Sequence, residues 1–371
     1  MIKLPLRLEK RHSDSKAMAY ISPLLATILT LLSGATLFAL LGQEPLHALY
    51  VFFIYPIADV YGWTELGLKV GPLLLCAIGL MLCFKAKVWN IGAEGQFIMG
   101  GLGGGYIALE LLAVESSLVL PAVLVFGALS GLLWAALAAL LKTRFGANEI
   151  LTTIMLNYIA LNALFYGVHG PLKDPDGYNF PESAMFSEFA TLPLVLEGFR
   201  LNISLLFGLA AVAIVWTLMS RTLLGFQISV LGEDASAARF AGFKEKRLVW
   251  FVLLACGALA GLAGVSEVTG PIGQLNPYIA PGYGYAAIII VFLGRMHPLG
   301  ILFASMLLAL TFMGGEMVQM ELALPKSLTG LFQGMLLFYL LACDLLISYR
   351  VVINSAPKKI SEAPGIIEQA G

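Results

Sequence analysis

Three groups of polar residues stand where an otherwise apolar chain has little reason to carry them. The first is Asn90, Glu94 and Gln96 in NIGAEGQF, which runs at once into the glycine-laden apolar stretch 98–113. A carboxylate and two amides at this doorway admit two readings. Asn90 can cap a helix whose first turns favour Glu94 through the helix dipole. Alternatively the helix is interrupted and its free backbone ends line a solute cavity, a break that Gly92 and Gly95 make easy.

The second group lies in GANEILTTIMLNYIALNALF, where Asn148 caps a helix and Glu149 suits its first turn. Glu149, Thr153 and Asn157 follow at i, i+4 and i+8 and so share one face. At about 1.5 Å per residue, Asn157 lies about 12 Å beyond Glu149, near a bilayer midplane. The stripe serves either interhelical hydrogen bonding or the polar lining of a translocation path.

The third group is LGEDASAARFAGF, in which Gly232 precedes Glu233 and Asp234, then Ala237, Ala238 and Arg239, with Gly242 closing the run. Acids in a first turn and glycine past the end predict a short helix of about nine residues, 233–241. It is either a solvated loop or a small-residue helix that seats in a partner's groove.

Other chemistry finds no residues to carry it. Cys76, Cys83, Cys256 and Cys343 sit in apolar runs without CxxC or metal spacing, and the four histidines are scattered. No HExxH occurs, and GLGGGY lacks the last glycine of a dinucleotide fingerprint. No metal, cofactor or enzymatic centre is expected.

The elements that position these groups follow from composition. Of 371 residues, 59% are hydrophobic and 12% charged, with net charge −1. Soluble domains carry about 25% charged residues, so the bilayer is this chain's solvent, and nothing pulls it toward nucleic acid. Spans of about 20 apolar residues can be placed at 18–42, 65–84, 92–112, 118–141, 147–168, 202–219, 249–268, 284–295, 298–315 and 327–348. The eighth is short for a full crossing. With the N-terminus inside, 18 of the 22 Lys and Arg fall on inner segments; Lys69, Lys173, Arg200 and Lys326 lie in or near the outer side. The expectation is an all-α polytopic membrane protein of about ten transmembrane helices. Residues 1–17 and 349–371 are cytoplasmic tails, 18–348 the membrane domain and 220–248 an inner loop. Gly100/Gly104 and Gly101/Gly105 repeat the spacing that lets helices approach closely.

The stretches KAKVWNIGAEGQFIMGG, GANEILTTIMLNYIA, LGEDASAARFAGF and GYGYAAIIIVFLGRMHPLGILFAS together resemble permease subunits of bacterial ABC importers. The resemblance is to the branched-chain amino acid/ribose-type branch, and within it to nucleoside permeases that work with a basic-membrane-lipoprotein type of binding protein. It implies an inverted repeat, with APGYGY (280–285) as the outer-side counterpart of NIGAEGQ. It also implies a second permease chain, a cytoplasmic ATPase docking on the segment around 232–242, and an extracytoplasmic solute-binding protein. The chain has no GxxxxGK[ST], so ATP use would belong to the partner ATPase. The function so implied is import of a small polar solute, a nucleoside, across the bacterial inner membrane by alternating access. Asn90, Glu94, Gln96, Glu149, Thr153 and Asn157 are then candidates for its path. A simple sugar is the alternative cargo; an ion-coupled secondary transporter is the alternative class, accounting for the buried acids but not for the small-residue inner helix.

Overall fold

The computed structural model describes residues 6–10, 16–325 and 327–353. Thirteen α-helices run through these residues. The first six are α1 (Lys16–Leu40), α2 (Pro45–Phe53), α3 (Val60–Lys85), α4 (Ala93–Glu110), α5 (Val119–Phe145) and α6 (Glu149–His169). After a long connection come α7 (Ser204–Arg221), α8 (Leu223–Glu233), α9 (Ala235–Phe240) and α10 (Glu245–Glu267). The last three are α11 (Tyr283–Leu293), α12 (Pro298–Leu322) and α13 (Leu328–Ser348).

Local chemistry sets several of these ends. Asp59 caps α3 by accepting from the Gly62 amide at 2.7 Å, and Asn148 caps α6 through the Ile150 amide at 2.9 Å. Gly146 ends α5 in the left-handed region at φ 66°.

Every expected span contains a helix, and eight helices among the described residues are long and apolar enough to cross a membrane. The third and eighth expected spans differ. They became α4 and α11, of 18 and 11 residues, and α11 is too short to cross about 30 Å of hydrocarbon. The outer connection before α3 adds α2, which sequence inspection did not separate. The inner stretch 220–248, expected as a loop with one short helix, is mostly the helices α8 and α9.

The described residues form two compact units, one drawn from the two ends of the chain, up to residue 33 and from residue 335, and one from between them. In the first, β1 (Leu6–Lys10) pairs antiparallel with β2 (Tyr349–Ile353), with Leu6 opposite Ile353. The segments read as tails therefore contribute a two-stranded ribbon, on which Arg350 pairs with Glu9 at 2.9 Å; residues 1–5, 11–15 and 354–371 lie outside the described residues. The hydroxyl of Ser22 meets the carboxylate of Asp344, and Ser33 bonds Tyr339 at 2.6 Å.

In the second unit α3 is the central helix, its apolar window 89% buried, whereas those of α5, α6 and α7 are 33%, 28% and 28% buried and turn wide apolar faces outward. The glycine stripe on α4 meets α10 as its spacing predicted. A Cβ on Gly100 would stand 2.2 Å from the Gly261 Cα, so only paired glycines let these backbones touch.

Candidate functional site

Between α3 and α4 the chain turns at Lys87 (φ 53°) and runs without regular structure through Val88, Trp89, Asn90 and Ile91. Val88 and Asn90 are buried, so this backbone needs partners inside the protein. Helix α6 supplies them. Thr153 Oγ1 accepts from the Ile91 amide at 3.1 Å. Asn157 accepts from the Gly95 amide at 2.8 Å, donates to the Ile91 carbonyl at 2.8 Å and donates to Tyr285 Oη at 3.1 Å. Asn90 closes the turn itself, accepting from the Gly92 amide at 2.8 Å, while its Nδ2 donates to Gln96 at 3.3 Å and to Cys256 Sγ at 3.2 Å.

The capping expectation for Asn90 is corrected by this geometry. Gly92 is the N-cap residue of α4, without a side-chain cap bond, and Asn90 serves the turn before it. Glu94 does lie in the first turn of α4, but its carboxylate reaches across to another helix. Oε1 accepts from the Gly282 amide at 3.0 Å and Oε2 from the Gly284 amide at 2.6 Å, at the start of α11. The starts of α4 and α11 thus meet on one carboxylate. Both helices direct the positive ends of their dipoles there, and α11 adds the N–H groups of Gly282 and Gly284, which favours a negative charge. Gly284 permits the contact, since a Cβ there would lie 2.2 Å from the Glu94 nitrogen; Gly282, at φ 98°, adopts a conformation open mainly to glycine.

The depth of the clasp follows from α11. Eleven residues rise about 16 Å, and Arg295 beyond its end belongs to the inner side by the charge rule. Glu94 therefore sits roughly halfway through about 30 Å of hydrocarbon. APGYGY, expected as the outer-side counterpart of NIGAEGQ, meets NIGAEGQ at these two helix starts.

Of the six polar candidates, Asn90, Glu94, Gln96, Thr153 and Asn157 are brought together and are 5% exposed or less. Glu149 stands apart at the inner end of the stripe, where it pairs with Lys142 at 2.6 Å and ties the start of α6 to the end of α5. Tyr285 and Cys256 belong to the cluster and were not anticipated; nothing local in the sequence links them to residues more than 100 positions away.

The inner group is arranged differently from its expected single helix. Gly232 and Glu233 end α8, Asp234 is extended (φ −151°), and only Ala235–Phe240 forms the next helix. The break arises because Asp234 Oδ1 accepts from both the amide and the hydroxyl of Ser236, at 2.8 and 2.6 Å, which starts a new helix. The same donors hold the Asp234 carboxyl below its ordinary pKa. Gly232 packs so tightly on the end of α3 that a Cβ would stand 1.8 Å from the Lys85 carbonyl oxygen, and Lys87 Nζ donates to the Glu233 carbonyl at 3.3 Å. Ala238 is buried, whereas Ala237, Arg239 and Phe240 are exposed; Gly242 closes the turn at φ 78°.

A second polar region lies toward the outer ends of α3 and α12, around a cavity of about 470 Å³. Lys69 pairs with Glu316 at 3.0 Å, and Arg200 contacts Glu65 at 3.5 Å and the Pro271 carbonyl at 3.4 Å. Glu267 lies within electrostatic reach of Lys69, Arg200 and Glu316. Sequence reasoning used Lys69 and Arg200 only to orient the spans. The signal that could have found the group was a lysine nine positions inside an apolar helix.

A family model described as the branched-chain amino acid transport system permease component matches residues 62–341. The glucose ABC transporter permease TsgB13 of Haloferax volcanii is 32% identical over 96% of this chain and 97% of its own length. The nucleoside ABC transporter permease NupB of Lactococcus lactis is 26% identical over 88% of this chain and 92% of its own. The guanosine ABC transporter permease NupP of Bacillus subtilis is 26% identical over 83% and 89%, respectively.

Proposed function

Because this chain belongs to the branched-chain amino acid transport-system permease family, we propose that it carries a nucleoside through the bacterial cytoplasmic membrane as one subunit of an ATP-binding cassette importer. Members of the family are membrane subunits and not themselves enzymes, so ATP hydrolysis falls to a separate ATPase. The remaining partners are a second permease chain, of a different sequence, and an extracytoplasmic solute-binding protein. Family membership displaces the ion-coupled transporter weighed from the sequence.

One observation carries the mechanism: two helix starts meet inside the bilayer on the single carboxylate of Glu94. Such a junction holds the domain closed while its bonds are made and lets two half-helices separate when they are exchanged. Alternating access then needs a lever from the cytoplasm. The exposed side of α9, with Ala237, Arg239 and Phe240, supplies a docking face for the ATPase. The end of α8 bears on α3 through Gly232 and Lys85, a few residues before the break at 88–92. Movement of α9 on ATP binding is passed through that contact to Asn90, Glu94 and Gln96. Thr153 and Asn157 hold the other side of the path, with Glu149 fixing the inner end of α6. Ala237→Trp blocks the docking face; it should abolish uptake while the permease pair still assembles, and normal uptake would refute the coupling role.

A sugar cargo has its own support in the 32% identity to TsgB13, a glucose permease. The two readings share a ring bearing vicinal hydroxyls. Proteoliposomes holding the complete complex, given labelled guanosine or labelled glucose with and without ATP, separate them. The nucleoside reading expects ATP-dependent guanosine uptake. Glucose uptake alone would replace it with the sugar reading, and ATP-independent uptake of either would overturn the importer assignment.

A further inference from the structure

We propose that the outer cavity bounded by Glu65, Lys69, Arg200 and Glu316 is a solute-binding station of the permease itself, built for a ring carrying vicinal hydroxyls. The proposal rests on the import function above and adds residues to it.

Four observations converge on this cavity. Its volume, about 470 Å³, lies within the about 300–1,000 Å³ of small-molecule sites. Lys69 is nine residues into α3, about 14 Å below its outer end, so the charge reaches well into the membrane domain. Ionisable groups at such depth are costly and are retained where they face a water-filled or solute path.

The pairing of these groups is incomplete. Glu65 Oε2 meets Arg200 at 3.5 Å, a long contact, while Glu65 Oε1 is buried without a hydrogen-bond partner. A buried carboxylate oxygen left unpaired costs free energy that an arriving hydroxyl donor recovers. The terminal torsion of glutamate is soft, so a small rotation presents this oxygen to the cavity. Lys69 and Glu316 form the facing pair, 3.0 Å apart, whose lone pairs and protons a hydroxylated ring can share.

The rest of the lining is of another kind. Tyr55, Tyr61, Met313 and Met317 add aromatic rings and thioethers to it. Such surfaces pack well against a flat apolar ring. Tyr61 lies one turn from Glu65 on α3, and Met313 and Met317 flank Glu316 on α12, so acceptors and apolar groups are interleaved around the cavity and suit a solute that joins a hydroxylated ring to a planar base. A nucleoside has this form; a free hexose uses only the acceptors. Along the lining, Asp59, Glu65, Glu316 and Glu321 outnumber Lys69 and Arg200, so the cavity disfavours anions such as nucleotides.

Glu65→Gln and Glu316→Gln preserve shape and remove one acceptor charge each, and Met317→Trp fills the space beside Glu316. Each complex is purified with its partner subunits and assayed for guanosine uptake and for direct guanosine binding in nanodiscs lacking the binding protein. The expected result is normal yield with KM and Kd raised about tenfold or more by either glutamine, in line with loss of one charge-assisted hydrogen bond. Met317→Trp should abolish nanodisc binding. Unchanged KM and Kd in the glutamine variants, while the wild type transports guanosine, would overturn the cavity proposal and leave the import function standing. Failure of the wild type to transport guanosine or glucose would instead overturn the function. Should a glutamine variant fail to assemble, Met317→Trp decides alone: retained guanosine binding refutes the site.

Discussion

The clasp at Glu94 and the cavity at Glu65 are both polar regions in an apolar domain, and they differ in whether their partners are complete. In the clasp, Asn157 satisfies three groups at once, and each Glu94 oxygen accepts from a backbone amide. No room is left: the Cβ that Gly95 lacks would stand 2.8 Å from Asn157 Oδ1. In the cavity an acceptor is unpaired, an ion pair is long and open volume lies beside both. A saturated, filled polar cluster holds backbone together, whereas an unsaturated one beside a void is suited to a visitor. The buried candidates for the path thus also fasten the helix break, and the cavity proposed to take a hydroxylated ring lies nearer the outer side.

Substitutions should separate the two regions by what they damage. The largest effect is expected from Gly284→Val, which drives side-chain atoms into the Glu94 backbone and should remove nearly all folded complex; membrane yield measures it. Asn157→Leu should come next. A lining residue would leave assembly intact, but this change orphans the Gly95 amide and the Ile91 carbonyl, at about 1–3 kcal/mol each, and should lower the melting temperature of the purified complex. Glu94→Gln keeps one acceptor oxygen for the two amides of α11 and should cost about 1.5–3 kcal/mol, the value of one charged hydrogen bond. Smallest in stability is Glu65→Gln, because its partner Arg200 is half exposed; about 0–1 kcal/mol is expected, so its effect shows in guanosine binding and KM and not in the melting temperature.

Local signals in the sequence were readable and long-range pairings were not. The Asn148 cap, the shared face of Thr153 and Asn157 and the close approach through Gly100 all follow from spacing within one helix. The shortness of 284–295 was visible too, although its consequence, a helix start inside the bilayer, was not. Glu94 finds its amides 188 and 190 residues away, and Lys69 finds Glu316 at a separation of 247. No periodicity reaches so far. The inner segment misled for a local reason: three consecutive residues, Gly232, Glu233 and Asp234, read as one helix start. In the structure Gly232 is needed for contact with Lys85, and only Asp234 caps.

The difference between clasp and cavity is tested most directly by the guanosine-induced shift in melting temperature of the purified complex, compared among wild type, Glu94→Gln and Glu65→Gln. The account predicts that Glu94→Gln lowers the melting temperature but keeps the guanosine shift, whereas Glu65→Gln keeps the melting temperature and loses the shift. A full guanosine shift in Glu65→Gln, or loss of the shift in Glu94→Gln at unchanged stability, would contradict it.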